Sequence, residues 1–206
     1  TDAPTATIIM PDEARVYRMG GGGEARIIVS GDQTGGAWWM GHFREDPGFM
    51  TPLHLHHNTE EQIYVLHGVL SVYVDGAWHE LGPGAFAILK RGVPHAQGNR
   101  GDKPVHFIGS GSPSGFEELF PAVDAVLGRG ITPGSAEFLA EFREISSRCD
   151  IEHREVGRRQ IPIHPCTAIH RQADRPQLVD GILLRPRIAA MRQRESSVPG
   201  IDPHCL

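Results

Sequence analysis

Three histidines and one glutamate have the residue types and the spacing of a metal site. A single residue, Leu55, separates His54 from His56, so in a strand the side chains of the two histidines point to the same face. Glu61 opens the next apolar run, and His95 follows the turn Gly92-Val93-Pro94 at the end of another. Three imidazoles and one carboxylate that converge inside a sheet would hold one divalent transition-metal ion and leave coordination positions open.

This donor set indicates a catalytic metal rather than a structural one. Imidazole and carboxylate groups suit one divalent ion of iron, manganese, nickel, cobalt, copper or zinc, and the sequence does not choose among these metals. A closed structural site would favour a tetrahedral set rich in cysteine. Glu61 is also the predicted catalytic residue, because a carboxylate that shifts on the metal can take a proton from a bound phenol or enol.

Neighbouring residues supply the alternatives to this ligand set. Glu60 points away from Glu61 and is the fallback carboxylate. His57 is out of phase with His54 and His56, so it is predicted to face outward. Hydrogen-bonded or exposed positions are predicted for His42, His67, His79 and His106, and exposed or capping roles for His153, His164, His170 and His204.

A small-molecule substrate needs an apolar pocket beside the metal. Phe49 and Met50 are candidates for its rim, because they lie in the loop just before His54. Strand residues near the metal ligands alternate between two faces, so about half of them should point inward. Taken singly, each is more simply explained as barrel core, although His106 could reach the cavity from the last strand. The predicted substrate pocket comprises Phe43, Phe49, Met50, Ile63, Phe86 and His106.

The two segments that carry these residues resemble the motifs of the cupin family. The first motif is matched at every spacing by Gly48, His54, His56, Glu61 and Gly68. The second is matched by Gly84, Gly92, His95 and Asn99, with Lys90 where the family has proline. Lys90 is not at a ligand position, so this departure concerns the turn and not the metal. The resemblance covers about residues 20 to 114 and is closest to small bacterial single-domain cupins that include quercetin 2,3-dioxygenase-like proteins.

The resemblance implies a fold, an assembly and a function. The fold would be mainly β, a cupin double-stranded β-helix (an antiparallel jelly-roll barrel) with C-terminal α-helices, and the chain would pair as a homodimer. The function would be a metal-dependent dioxygenase of a small aromatic or enolic compound, such as a flavonol or polyketide. The alternatives are a non-oxidative isomerase, cyclase or lyase, and a small-molecule-binding cupin without turnover, because one fold hosts many chemistries.

The pattern along the chain independently predicts an antiparallel β-sandwich or barrel. Short apolar runs alternate with turn signals, and Asp75-Gly76 between two such runs is a two-residue hairpin signal. One further strand is expected in the lead-in, around Thr7–Met10. The runs are Arg26–Val29, Gly36–Arg44, Pro52–His57, Gln62–Leu66, Leu70–Val74, Ala77–Leu81, Ala85–Lys90 and Val105–Ile108.

Beyond residue 110 the apolar period changes from that of strands to that of helices. Ser114 and Glu117 fit a capping box for a first helix, which Pro121 should kink or restart. Thr132-Pro133 should open a second helix. The helices are expected to cover an outer face of the barrel or a partner subunit. The predicted organisation is a barrel with its lead-in strand over residues 1–115, a helical extension over 116–150, and an irregular tail rich in arginine and proline over 151–206, in which 182–188 could be a strand.

Composition limits the partners and the compartment. The 206 residues carry a formal net charge of −5, which argues against nucleic acid as a partner, because proteins that bind nucleic acid need a basic surface. No apolar run approaches the roughly 20 residues of a membrane span, and no signal peptide is recognised at the start. Cys149, Cys166 and Cys205 lack metal-site spacing and are interpreted as free thiols of a cytoplasmic protein.

Overall fold

A computed structural model describes residues 6–154 of the chain and, beyond them, only 178–179 and 182–183. The chain divides into two compact units, Thr1–Thr167 and Ala168–Leu206. Of the second unit, the described part is one antiparallel pair of two-residue strands, β12 (Leu178–Val179) and β13 (Ile182–Leu183). The predicted tail histidines His164, His170 and His204, and the thiols of Cys166 and Cys205, lie outside the described residues.

The first unit is built on two antiparallel sheets, which confirms the predicted mainly-β jelly roll followed by helices. The larger sheet has six strands in the order β1-β2-β3-β10-β5-β8, and the smaller has five in the order β11-β4-β9-β6-β7. The strands of the larger sheet are β1 (Arg15–Gly20), β2 (Gly23–Val29), β3 (Trp39–Glu45), β10 (Val105–Ser112), β5 (Glu60–His67) and β8 (Phe86–Leu89). Those of the smaller sheet are β11 (Ile151–His153), β4 (His54–His56), β9 (His95–Gly98), β6 (Leu70–Val74) and β7 (Ala77–Leu81).

Strict alternation on β3 and β10 sends one set of side chains into the interior between the sheets. Trp39 and Phe43 point inward from β3, and both are buried. Glycines on the neighbouring strand β10 leave space for these two rings. A Cβ on Gly109 would lie 2.8 Å from the Phe43 ring, and one on Gly111 would lie 2.3 Å from Trp39 Nε1. The absence of a side chain at these glycines therefore lets the two large rings fill the core.

One hairpin forms as predicted from the sequence, and one predicted strand does not form. Asp75 and Gly76 both have positive φ, 53° and 80°, as the predicted hairpin between β6 and β7 requires. The strand expected around Thr7–Met10 is wrong, because no strand forms there and Ile8 is 81% exposed. The first strand is instead β1, which pairs with β2 across the glycine turn.

Two helices follow the last long strand, β10. They are α1 (Leu119–Gly128) and α2 (Ala136–Arg148). The capping box expected from Ser114 does not form; Glu117 instead accepts hydrogen bonds from the backbone N–H groups of Gly31 and Gly115, at 2.8 and 2.6 Å. Pro121 lies in the first turn of α1, where its missing N–H costs little. Helix α2 begins three residues after Pro133, where Ser135 Oγ caps it by accepting from Phe138 N at 3.1 Å.

These helices close the interior rather than cover an outer face. Phe116, just before α1, and Phe120 within it both pack edge-on against Trp39, with ring centroids 5.3 and 5.8 Å away. Leu119, Val123 and other apolar residues of α1 are buried in the same core. Within residues 6–154 and the two short strands beyond them, no helix has the length and apolar character needed to cross a membrane.

The outer face of the larger sheet keeps an apolar area of its own. Tyr64 of β5 lies opposite Phe86 of β8, and these side chains are 43% and 57% exposed. Ile88, two residues along β8, is 50% exposed. Strand β8 is also the edge of this sheet among the described strands, so an apolar face and a sheet edge lie side by side.

Candidate metal centre

The structure brings the four predicted ligands together between the two sheets. His54 and His56 project from β4, His95 from β9 and Glu61 from the start of β5. Each residue is at most 7% exposed, and one donor atom from each lies within 4.8 Å of all the others. The backbones of His54 and His95 are directly paired, which fixes two of the imidazoles side by side. One ion could therefore be shared by all four side chains.

The hydrogen bonds of the imidazoles prepare their other nitrogens for a metal. The Nδ1 atoms of His54 and His95 lie 2.8 and 2.9 Å from the carbonyl oxygens of Pro52 and Val93, each two residues earlier in the chain. The Nδ1 atom of His56 lies 3.1 Å from the carbonyl oxygen of Asp150. A carbonyl oxygen only accepts, so each Nδ1 carries the proton and each Nε2 keeps its lone pair.

Two of these Nε2 lone pairs have no hydrogen-bond donor among the described residues. The buried Nε2 atoms of His56 and His95 make no hydrogen bond, although Glu61 Oε2 lies 3.6 and 3.3 Å from them. Buried polar atoms are normally satisfied, so such orphaned acceptors call for an electrophile. A divalent cation fits this donor set of three imidazoles and one carboxylate.

Electrostatics in the centre keep it ready for a cation. Burial and, to a smaller extent, the neighbouring imidazoles of His95 and His56 lower the pKa of His54 to about 3, so this histidine is neutral at physiological pH. Burial raises the pKa of Glu61, but the imidazoles of His56 and His95 lower it by more, so Glu61 is ionised. Burial lowers the pKa of His95, and contact with Glu61 more than reverses this. The ionised carboxylate of Glu61 in this buried site favours a bound cation.

A residue from beyond the helices supports the loop that follows β4. The Asp150 carboxylate accepts hydrogen bonds from the backbone N–H groups of Asn58 and Thr59 at 2.8 and 2.9 Å, and from Asn58 Nδ2 at 2.9 Å. Its carbonyl oxygen is the one that orients His56. Asp150 has φ +60°, a left-handed conformation that aspartate tolerates better than most residues. Immediately after it, β11 pairs with β4 along its whole length.

A cavity of about 220 Å³ opens next to this centre. His54 and Glu61 form part of its wall, and most of the rest is apolar. The predicted pocket residues divide into two groups. Phe43, Phe49 and Met50 line the cavity, whereas Ile63, Phe86 and His106 do not.

The second group lies elsewhere because of strand phase and depth. Ile63 points inward but is fully buried in the core. Phe86 points to the outer face of the sheet. His106 alternates with the inward residues of β10, so it also faces outward, where it stacks on His42 at a centroid distance of 5.3 Å.

The cavity also contains residues that the sequence did not single out. Its apolar wall is completed by the helices, through residues such as Phe116, Phe120 and Phe138. Its further polar members are Thr51, Glu45 and Gln97, and also His153, whose predicted exposed or capping role is wrong because its side chain lines the cavity. Both ring nitrogens of His153 are buried without a hydrogen-bond partner in the described structure. The helix residues showed an amphipathic period, but nothing in the sequence predicted that they would lie beside the candidate metal site.

The remaining candidates lie outside the centre. Glu60 points away and pairs with Lys90 Nζ at 2.9 Å. His57 is exposed, as predicted, and its Nε2 lies 2.7 Å from Glu152 Oε2. His67 and His79 are exposed on their strands. Cys149 is a free, buried thiol whose pKa is raised by burial, so it is not poised for metal binding.

Comparison with known proteins agrees with this geometry. Residues 41–110 match the sequence pattern of the cupin domain. The chain is 31% identical over 114 residues to the tetracenomycin polyketide synthase protein TcmJ of Streptomyces glaucescens, an alignment that covers 55% of this chain and 75% of TcmJ.

Solved structures with a similar fold include two other bacterial proteins. The polyketide cyclase RemF of Streptomyces resistomycificus has a TM-score of 0.48 at 22% identity, and the match covers 53% of this chain and 81% of RemF. A sugar phosphate isomerase of Silicibacter pomeroyi has a TM-score of 0.46 at 23% identity, with 53% and 77% of the two chains covered.

The matched domain spans β3 to β10 and so contains all four clustered donors. TcmJ is aligned over three quarters of its own length. The relationship to TcmJ, together with the match to the cupin domain, shows that this chain belongs to the cupin family.

Proposed function

We propose that this chain is a metal-dependent enzyme that acts on a small aromatic or enolic compound of flavonol or polyketide type. The observation that carries the proposal is the position of the His54, His56, Glu61 and His95 cluster at the wall of a mainly apolar cavity. Such a cavity favours flat, weakly polar molecules, and a few polar groups then fix their orientation. The relationship to a polyketide synthase protein supports the same class of compound.

The residues of the cavity suggest how the chain would handle such a compound. A bound divalent ion would supply Lewis-acid polarisation of a substrate oxygen or a place for dioxygen. The rings of Phe43, Phe116 and Phe120 would exclude water and orient the substrate. Glu61 lines this space and is ionised, so Glu61 would accept the proton of a phenol or enol and hold it during the reaction.

The reaction that we place first is oxygenation of the substrate. It rests on the resemblance of both motifs to quercetin 2,3-dioxygenase-like cupins and on a ligand set that leaves coordination positions open. A non-oxidative cyclisation or isomerisation is the second candidate, and the relationship to TcmJ favours it. Both reactions begin with removal of a proton from an acidic hydroxyl or enol, so Glu61 has the same task in each.

Metal analysis followed by oxygen uptake separates these reactions. The purified protein should contain one divalent ion per chain, and addition of flavonols or polyphenolic ketones should give metal-dependent oxygen consumption. Product formation without oxygen uptake, equal in air and under nitrogen, would replace oxygenation by the non-oxidative reaction. Protein that holds no metal and alters none of these compounds in either atmosphere would overturn the proposal.

The role of Glu61 can be tested by turnover per bound metal. The Glu61→Gln variant should keep part of the metal, and its turnover per metal should fall about 10²–10⁴-fold, the usual contribution of general acid–base catalysis. Glu60→Gln is the matched control, because Glu60 is the adjacent carboxylate but points away to Lys90. Turnover per metal close to wild type in Glu61→Gln would leave Glu61 as a ligand only.

A further inference from the structure

A second buried carboxyl group lies in the cavity, apart from the metal cluster. Glu45 ends β3, where its backbone is paired with Gly23 on one side and Val105 on the other. Asn99 Nδ2 also donates to the Glu45 carbonyl oxygen at 2.9 Å. With its backbone held on three sides, Glu45 directs its side chain inward, is fully buried and forms part of the cavity wall.

The carboxyl group of Glu45 is only half satisfied. Its Oε1 accepts one long hydrogen bond from Gln97 Nε2, at 3.4 Å, and its Oε2 has no partner among the described residues. No cation is paired with it in any salt bridge of the described part of the chain. An unpaired buried charge is costly, so the neutral acid is the favoured form. Burial accordingly raises the pKa of Glu45 to about 8.

The position of Glu45 relative to the metal cluster suggests its use. Gln97, its hydrogen-bond partner, lies two residues after His95 on β9, which is about 7 Å along the strand. The cavity wall therefore carries the Glu45–Gln97 pair as a polar group separate from the metal cluster. A molecule of two fused rings with oxygen atoms on both rings offers one oxygen to each.

We propose that protonated Glu45 binds the substrate through its Oε2, as a hydrogen-bond donor to an oxygen atom on the ring remote from the metal. This inference rests on the proposed function only in that the cavity binds aromatic or enolic compounds. The proposed hydrogen bond makes Glu45 a specificity residue, which selects substrates that carry a second oxygen on the ring remote from the metal. An apolar ring there would leave Oε2 buried and unpartnered, so such compounds are disfavoured.

Binding of two naphthalene probes to the metal-loaded protein tests the proposal. The probes are a naphthol and a naphthalenediol with its hydroxyl groups on opposite rings. Wild type should bind the diol about 10-fold more tightly than the naphthol, as one hydrogen bond to an otherwise unpartnered buried group provides. Glu45→Leu should lose that preference, whereas Glu45→Gln should keep most of it, because an amide can still donate.

The controls separate a failure to fold from a failure of the idea. Metal content and melting temperature should stay near wild type in Glu45→Gln. In wild type, the infrared carbonyl band of the protonated acid, identified by its loss in Glu45→Gln, should shift on binding of the diol and not of the naphthol. This measurement does not depend on how well Glu45→Leu folds.

Two results would overturn the inference. One is an equal diol preference in wild type and in folded Glu45→Leu, and the other is a carbonyl band that the diol leaves unmoved. Absence of turnover with the probe preference intact would count against the proposed reaction and leave Glu45 in place. Failure of wild type to bind either probe would overturn both the compound class and this inference.

Discussion

Removal of the Asp150 side chain should weaken both the fold and the metal centre. The carboxylate accepts three hydrogen bonds from Asn58 and Thr59, and the same residue orients His56 through its carbonyl oxygen. Asp150→Gly removes only the side-chain bonds, since glycine adopts the left-handed backbone at φ +60° without strain. Any loss in this variant therefore reports the carboxylate and not the backbone.

The expected magnitude follows from the surroundings of these bonds. Hydrogen bonds to a charged group contribute about 1.5–3 kcal/mol each when buried. Here two of the three are at an exposed position and one is partly buried. A total of about 2–4 kcal/mol is therefore expected for Asp150→Gly. Metal affinity should fall about 10-fold, at the low end of the effect of losing support around a ligand, because the carbonyl that holds His56 remains.

Urea unfolding and competition with a chelator measure the two effects separately. Asp150→Asn is the matched control, because its amide oxygen can still accept and asparagine also tolerates positive φ. It should lose about 1 kcal/mol, less than the glycine variant. An Asp150→Gly variant with the unfolding free energy and metal affinity of wild type would refute the view that this residue supports the centre.

Three further predictions concern the centre, the second carboxyl group and the assembly. Replacement of both His54 and His56 by alanine should abolish metal retention, and a full equivalent of metal in the double variant by elemental analysis would contradict the ligand assignment. The pKa of Glu45 is raised by burial from 4.5 to about 8, so the contribution of Glu45 to the stability of wild type should fall as pH rises through this window, and Glu45→Gln should lack this contribution; Gln97 and the Glu61 charge are the groups that act on Glu45. In urea unfolding of chelator-treated protein, the free energy of unfolding of Glu45→Gln relative to wild type should therefore rise by about 1.4 kcal/mol per pH unit. A difference in unfolding free energy that does not change with pH would contradict a neutral Glu45. The chain should be a homodimer through the β8 edge and the apolar face around Tyr64, and light scattering at micromolar concentration that gives only the mass of one chain would count against it.

The cluster of four candidate ligands was predictable because the arrangement of these residues in the sequence is local. The one-residue gap between His54 and His56 fixes a common face, whatever the rest of the fold. Glu61 and His95 lie at the boundaries of apolar runs that the turns delimit clearly. The identity of a family with the same spacing then adds the relative position of the strands.

The missed features depend on partners that are distant in the sequence. Strand β11 has only three residues, Ile151–His153, within a stretch that we predicted to be irregular, and its pairing with β4 is settled by tertiary contact. Glu45 stands between Arg44 and Asp46, so it has the sequence surroundings of a solvent-facing residue. Alternation along β3 places Glu45 on the same face as Trp39 and Phe43, but the run predicted from the sequence ends at Arg44, and it is pairing with Val105 on β10 that extends the strand to Glu45.

The pairing of β4 has a consequence for how the centre is assembled in time. This strand carries two of the ligands, yet it pairs with β9 only between His54 and His95, whereas β11 pairs with all three of its residues. The backbone that positions two imidazoles is thus completed by residues made nearly 100 positions later. Contacts between such distant segments form late, because a long loop must close first. During synthesis, the nascent chain would hold the ligands in place only after Ile151–His153 has left the ribosome, so metal loading is expected to follow the synthesis of β11.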